Sequence, residues 1–481
     1  MTNNEIKEEI RRQYDLLNQD ILRTRETNEG GNDKYRDIFQ RDYARILYSS
    51  SFRRLQGKMQ ILGVCPTAFY RNRLTHSLEV SQIACSIAYV INKKFMENEP
   101  IYQDDLYVLQ AAALAHDIGH PAFGHSGERV LDSIEKQNGR RFEGNAQNFR
   151  VLRTLERRYA KFDGLNLTNR VLLAINKYLV KESQDKMVEK FLYENDFNYL
   201  ENIRKQCGLE EQRTLDVQII DIADEIAYAA HDLEDALSLR YFNIDELIFE
   251  VKQKDSNAGE QLEKIVEEAK TSANEVSTLS NRKNLQNYTQ VFRKTLASKL
   301  TDTFVKAITL EQHTDEKHLK EHGVKKGVYE LSLGEYKELC HKLSKVIFKC
   351  VQRDYDVAVS EQKGEIVLRS LYDLLSNKEQ NRKGNLLPVD YRPINIDNKK
   401  DFEESEDFIN QLKANAINYI AGMMDTFAME EYERLFKENF EDIQISKYPS
   451  REIIHNTRVE AIINDIKKEV HIYLPNKNEY R

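Results

Sequence analysis

Proline is scarce and unevenly placed: there are 7 in 481 residues, and none between Pro121 and Pro388. In a stretch that long without a helix breaker, apolar residues at three- and four-residue spacing read as α-helix. Leu78, Ile83, Ile87 and Ile91 follow that spacing, as do Ile220, Ala223, Ala227 and Ala230. Cysteine is sparse too. The 5 cysteines (65, 85, 207, 340 and 350) are odd in number, widely spread and contain no C-x-x-C, which excludes a disulfide framework and suits a reducing compartment. No apolar run approaches the ~18 residues needed to cross a bilayer. The N-terminal MTNNEIKEEIRRQ lacks the apolar segment of a signal peptide, so a cytoplasmic protein without membrane attachment is expected. Basic excess is absent as well. The net charge is −8, so stable nucleic-acid binding is not expected. The basic pairs Arg53-Arg54, Arg140-Arg141, Arg157-Arg158 and Lys325-Lys326 read as solvated faces or local anion contacts.

What is present is ordinary in bulk and unusual in one place. Hydrophobic residues make up 40% and charged residues 31%, which fits a globular chain long enough for a large core. A small hairpin is predicted at GVKKGVYEL (323–331), a connecting loop at 377–400, and renewed helix after it. The polar helical segment 249–300 reads as an insertion or an assembly element.

The unusual place is LQAAALAHDIGHPAFGHSGERVLD (109–132). An apolar helix ends there, at Gly119 and Pro121, and delivers His116, Asp117, His120, His125 and Glu128 within thirteen residues. An aspartate at a helix C-terminus faces the negative end of the dipole, at a cost of up to ~1 kcal/mol. A divalent cation would offset that cost. His116 and Asp117 can bend onto one ion, and two further ligands must come from other helices. His76, in RLTHSLEV, is the natural histidine. The last ligand should be an acid on a later helix, and DIADEIAYAAHDLEDAL (221–237) offers several, with Asp224, Tyr228 and Asp232 on one stripe. A mixed histidine and carboxylate shell suits Mn, Mg, Fe or Zn. The dipeptide HD recurs at His231-Asp232, so the dipeptide alone decides nothing.

Assembled, these blocks resemble the HD-domain deoxynucleoside triphosphate triphosphohydrolases of the bacterial dGTPase family. The resemblance runs in family order through RDIFQRDYARILYSSSFRRLQGKMQ (36–60), RLTHSLEVSQIA (73–84), HDIGHPAFGHSGE (116–128), FEGNAQNFRVL (142–152), DIADEIAYAAHDLED (221–235) and NYIAGMMDTFA (418–428). It implies an all-α fold: an N-terminal helical arm (1–35), an HD catalytic core (36–240), a helical region (241–376), the connecting loop and C-terminal helices (401–481). It implies one divalent metal, Mg or Mn first and Fe, Co or Zn as alternatives, held by His76, His116, Asp117 and Asp224, with Asp221 the rival for the last place. By similarity His125, supported by Glu128, is the catalytic pair, and His120 sits beside the α-phosphate. Arg73, Lys177, Tyr178 and Asn145 match phosphate contacts. Gln60 matches the reader of the sugar 3′-hydroxyl, and Tyr228 and Asp232 the sugar-side helix face. The last block departs from the family pattern at Met424 and Thr426, so neither is assigned a contact with substrate or activator.

The resemblance implies metal-dependent hydrolysis of dGTP, or of deoxynucleoside triphosphates generally, to deoxynucleoside and inorganic triphosphate. It also implies a homo-oligomer with a nucleotide effector among its ligands. The rivals are another HD phosphohydrolase, such as a 5′-nucleotidase or phosphodiesterase, and a non-catalytic nucleotide sensor, which would have no need of His125 and Glu128.

Overall fold

Three helices that pack on one another carry the metal-ligand candidates, and each begins or ends for a local reason. In the first, Arg73–Phe95, the Asn72 side chain accepts from Thr75 N and Thr75 caps Asn72 in return. Its buried stripe runs through His76, Val80, Ile83, Ile87 and Ile91. Leu78, read from sequence as part of that stripe, is 45% exposed. The helix turns His76 inward at the place that Leu78 was expected to hold. The second helix, Leu106–Ala115, is buried on nearly every side, which is why it reads as an apolar run without a polar face. The third, Leu215–Leu239, is capped by the Thr214 hydroxyl and stopped by Arg240 in the left-handed region. It packs against both of the others and against Leu285–Lys306 and Lys337–Gln352.

The computed structural model describes residues 1–29, 35–60, 71–157, 160–183, 188–279, 285–395 and 401–437. Among these, eighteen α-helices and one two-stranded antiparallel sheet form, which is the all-α class predicted. The chain from Met1 to Glu430 forms one unit; from Glu431 a second begins, whose described residues run to 437. The remainder of the expected C-terminal helices lies outside the described residues, as do Cys65, Arg158 and 396–400. The N-terminal arm buries Ile6 and Ile10 on its helix Asn3–Asp15. The segment 249–300 is part of the core packing. Leu262, Val266 and Ala269 of helix Ser256–Leu279 and Leu296 and Leu300 of the next helix are buried.

The sheet differs from its sequence reading. Its strands are β1 (Thr309–Gln312) and β2 (Tyr329–Ser332), registered Thr309 to Ser332 and Gln312 to Tyr329. The partner of the 329–332 run is therefore upstream of Gly323, and a short helix, Glu316–His322, fills the connection. Gly323 ends that helix at φ 68° and so acts as a helix stop, and the predicted hairpin 323–331 contributes only its second half, as β2. The basic pair at 140–141 is held by ion pairs: half-buried Arg140 binds Glu135 and buried Arg141 binds Asp132. The described cysteines are free thiols, and no described helix is long and apolar enough to cross a membrane.

Candidate metal centre and active site

Helix Leu106–Ala115 hands over to His116, whose Nδ1 lies 2.7 Å from the Ala113 carbonyl. Donation there places the proton on Nδ1 and leaves the Nε2 lone pair available. His116 Nε2 is buried and makes no hydrogen bond. It lies 3.5 Å from Asp224 Oδ1, and His76 Nε2 lies 2.9 Å from the same oxygen. Asp117 Oδ1 is 3.7 Å from His116 Nε2. Two atoms each about 2.1 Å from one ion, at tetrahedral or right angles, lie about 3.0–3.4 Å apart. His76, His116 and Asp224 therefore need little movement to share a cation, and all three are buried. Asp117 is the outlying member. Its carboxylate accepts from Arg73 at 2.6 Å and lies 3.0 Å from His120 Nδ1.

Asp221 takes a different position from Asp224. Its carboxylate accepts from Arg213 at 2.7 Å and is 3.5 Å from Lys177. Lys177 in turn donates to Asp224 at 2.5 Å. The resulting series, Asp224, Lys177, Asp221, Arg213, alternates in sign. Burial would raise the Asp224 carboxyl, but Lys177 and His116 hold it well below the usual carboxylate range. Asp117 behaves alike: burial opposes ionisation, and Arg73 and His120 overcome it. His120, buried beside Arg73, is pushed down to about 4 and is neutral at pH 7.

The turn after His116 is fixed by backbone contacts. Asn148 bonds both the Gly119 N–H and the His116 carbonyl. A Cβ on Gly119 would collide with the backbone at Gly144 and Asn148, so the close approach requires glycine there. Phe123 stands in the left-handed region and reverses the chain into helix Gly124–Gln137, which carries His125 and Glu128. His125 Nδ1 is 3.3 Å from Glu128, whose other oxygen accepts from Gly144 N at 2.9 Å. The pair is together as predicted, and the His125 side chain keeps 42% exposure.

Polar atoms without partners gather beside this centre. Arg73 Nε and Nη2, both amide atoms of Gln60 and Asp232 Oδ2 are buried and have no hydrogen-bond partner among the described residues. Burial, with Asp235 nearby, pushes the Asp232 carboxyl well above its usual value. Tyr228 packs its ring 4.9 Å from that of His76. Tyr178 stacks at 5.2 Å on His322. Asn145 donates to Glu143, so its amide is already held. A cavity of about 790 Å³ opens from Asp224, Tyr228, Lys177 and Tyr178 towards His313 and His318. His231 of the second HD dipeptide does not join the centre and faces Glu79 at 3.0 Å.

Several residues here carry no sequence signal. Lys58 is buried and donates to the carbonyls of His120 and Ala421, at 2.5 and 3.0 Å. Asp425, in the late block, accepts from Met59 N and from Phe123 N, both at 2.9 Å. Lys190 reaches Glu128 and Glu143. Each pairing spans tens to hundreds of residues, and spacing along the chain cannot reveal it.

The HD domain family matches residues 73–229, and the phosphohydrolase-associated domain matches 334–434. A Vibrio cholerae protein named deoxyguanosinetriphosphate triphosphohydrolase-like protein 2 is 37% identical over 439 residues, covering 91% of this chain and 97% of its own length. A Shewanella halifaxensis deoxyguanosinetriphosphate triphosphohydrolase-like protein is 32% identical over 84% of this chain and 92% of its own. A Deinococcus radiodurans relative of the same kind of name is 30% identical over 85% and 94%. HD domains bind a divalent metal, and His76, His116 and Asp224 offer donors suited to one. The chain belongs to the HD-domain phosphohydrolases, among the deoxyguanosinetriphosphate triphosphohydrolase-like proteins.

Proposed function

We propose that the protein hydrolyses deoxynucleoside triphosphates, dGTP first, to the deoxynucleoside and inorganic triphosphate. The observation that carries this reading is the set of unbonded buried groups beside the metal-ligand candidates: Arg73 Nε and Nη2, and the Gln60 amide. An unsatisfied guanidinium is costly to bury, and a phosphate oxygen satisfies its planar fork. A hydroxyl both donates and accepts, which is what the two ends of a buried glutamine amide require.

In this reading His76, His116, Asp117 and Asp224 hold one divalent ion, which supplies Lewis-acid polarisation of the α-phosphoryl group. Arg73 binds the α-phosphate, with neutral His120 beside it. Lys177 and Tyr178 meet the outer phosphates along the cavity, and Asn145 approaches them from the 142–152 block. Gln60 reads the 3′-hydroxyl, Tyr228 crowds the 2′-position, and Asp232 lies on the sugar side. Glu128 fixes His125 at Nδ1, so the proton exchanged with water or with the leaving 5′-oxygen is carried at Nε2. A closed homo-oligomer is the assembly proposed, with nucleotides as candidate effectors.

The test is incubation with each dNTP and NTP in water enriched in heavy oxygen, with products separated by ion exchange. Intact triphosphate and deoxynucleoside should form one to one, with the label in the triphosphate. Early orthophosphate with dGDP, or pyrophosphate with dGMP, would replace this reading with another HD phosphohydrolase activity. Equal rates on GTP and dGTP would overturn the roles of Gln60 and Tyr228.

A further inference from the structure

We propose that His313, His318 and Glu330 form a second divalent-metal site, separate from the HD centre and selective for a borderline ion such as zinc or cobalt. Three elements bring the donors together. His313 follows β1, and its amide bonds the Val328 carbonyl at 3.3 Å. His318 lies on helix Glu316–His322, which Asp315 caps. Glu330 points inward from β2 and is fully buried.

The Nε2 atoms of both imidazoles lie close to one oxygen. His318 Nε2 is 3.1 Å from Glu330 Oε2, and His313 Nε2 is 3.3 Å from it. Both distances fall in the span of about 3.0–3.4 Å that two atoms bonded to one zinc ion require. The His313 contact is not a hydrogen bond among the described residues, although the two atoms are close enough for one.

The surroundings supply what a metal site needs beyond its ligands. Arg213 grips Glu330 by two bonds of 2.8 Å, which fixes the carboxylate as an outer partner does in metal sites. Its charge does not cancel the site, because Arg213 is shared with Asp221. The three groups together keep one negative charge, which a cation would answer. The His313 and His318 rings stack at 3.9 Å and nearly parallel, and His322 stacks on His318 at 4.2 Å, so one ring must turn for both in-plane lone pairs to meet one ion. The cavity that reaches the HD centre passes this cluster, leaving room for water or an anion to complete the coordination. Two nitrogens and one oxygen favour zinc, cobalt or nickel over magnesium.

The test is metal stoichiometry of the full chain, stripped with chelator and titrated with Zn(II) or Co(II). Wild type should bind about two ions per chain, and the His313→Ala/His318→Ala protein about one. Asp224→Ala should lose the other ion and keep this one. Should the double variant fail to fold, Glu330→Gln serves in its place. Crystals soaked in Zn(II) should give an anomalous peak within bonding distance of the three donor atoms. One ion in wild type, two in the folded variant, or a second peak elsewhere would overturn the site. These outcomes do not depend on the substrate, so dGTP hydrolysis can fail while this site stands, and the reverse.

Discussion

Two clusters of histidine and carboxylate face one cavity, and they are built in different ways. At the HD centre the donors come from long helices packed in the middle of the molecule, and His76 and His116 are almost wholly buried. At the hairpin they come from the end of a short strand, a two-turn helix and a paired strand, and the His318 side chain keeps 22% exposure. The HD carboxylate Asp224 answers to Lys177, and the hairpin carboxylate Glu330 to Arg213. Asp221 stands between those two cations, so a single series of alternating charges joins the clusters. The comparison teaches that rigidity and chemistry are separable. The helical centre is fixed by core packing, and the hairpin cluster by ring stacking and one bidentate arginine.

The sharpest way to break this contrast is to remove a donor from the helical centre. Asp224→Ala should reduce turnover to background and abolish the HD ion, since it also removes the nearer of the two carboxylates that buried Lys177 faces. Full activity and metal in that variant, alongside an inactive Asp221→Ala protein, would move the ligand to Asp221. Next in size is His125→Ala. It should keep metal and nucleotide binding and lose about a hundredfold in kcat, the scale of a positioned acid or base; metal content beside single-turnover rates separates this from a ligand role. Asp425→Ala leaves the Met59 and Phe123 amides unpaired and should cost about 2 kcal/mol, read as a fall in denaturation midpoint. Its turnover should fall while the metal stays.

The smallest expected effect belongs to the hairpin. Burial, with His318 beside one ring and Arg213 beside the other, pushes both His313 and His322 down to about 4. An unfolded histidine titrates near 6.5. On acidification the unfolded chain takes up protons first, so the stability these rings contribute is complete above about pH 6.5 and is lost as pH falls towards 4. Metal-free protein should therefore melt progressively lower across that window. His322→Asn should melt with a shallower pH slope than wild type, and an unchanged slope would show that the hairpin histidines do not contribute.

How legible each cluster was follows from how it is built. His116, Asp117, His120, His125 and Glu128 are close in sequence, and their density against a glycine and proline turn is itself the signal. His76 and Asp224 were reachable because they sit on strongly periodic helices that could carry a ligand. Arg213 and Glu330 are 117 residues apart and lie in stretches without any pattern of their own. The hairpin was misplaced because the short alternating runs around Gly327 give no sign that the partner strand lies upstream, at Thr309–Gln312. The burial pattern of Arg73–Phe95 was read two residues off at Leu78, because its inward stripe opens with a polar histidine, His76.

Asp425 ties together two stretches of backbone, at Met59 and at Phe123, which Lys58 also links through the His120 carbonyl. It does so from the segment matched by the phosphohydrolase-associated domain. The boundary between the two matched families is thus a boundary of sequence description and not of working parts. A piece cut at 73–229 would carry His76, His116, Asp117 and Asp224, yet it would lack Gln60 and the acceptor that holds Phe123 in its reversed turn. Evolution could exchange the HD segment between proteins only by carrying this late helix with it, which makes the two inherited modules a single heritable unit.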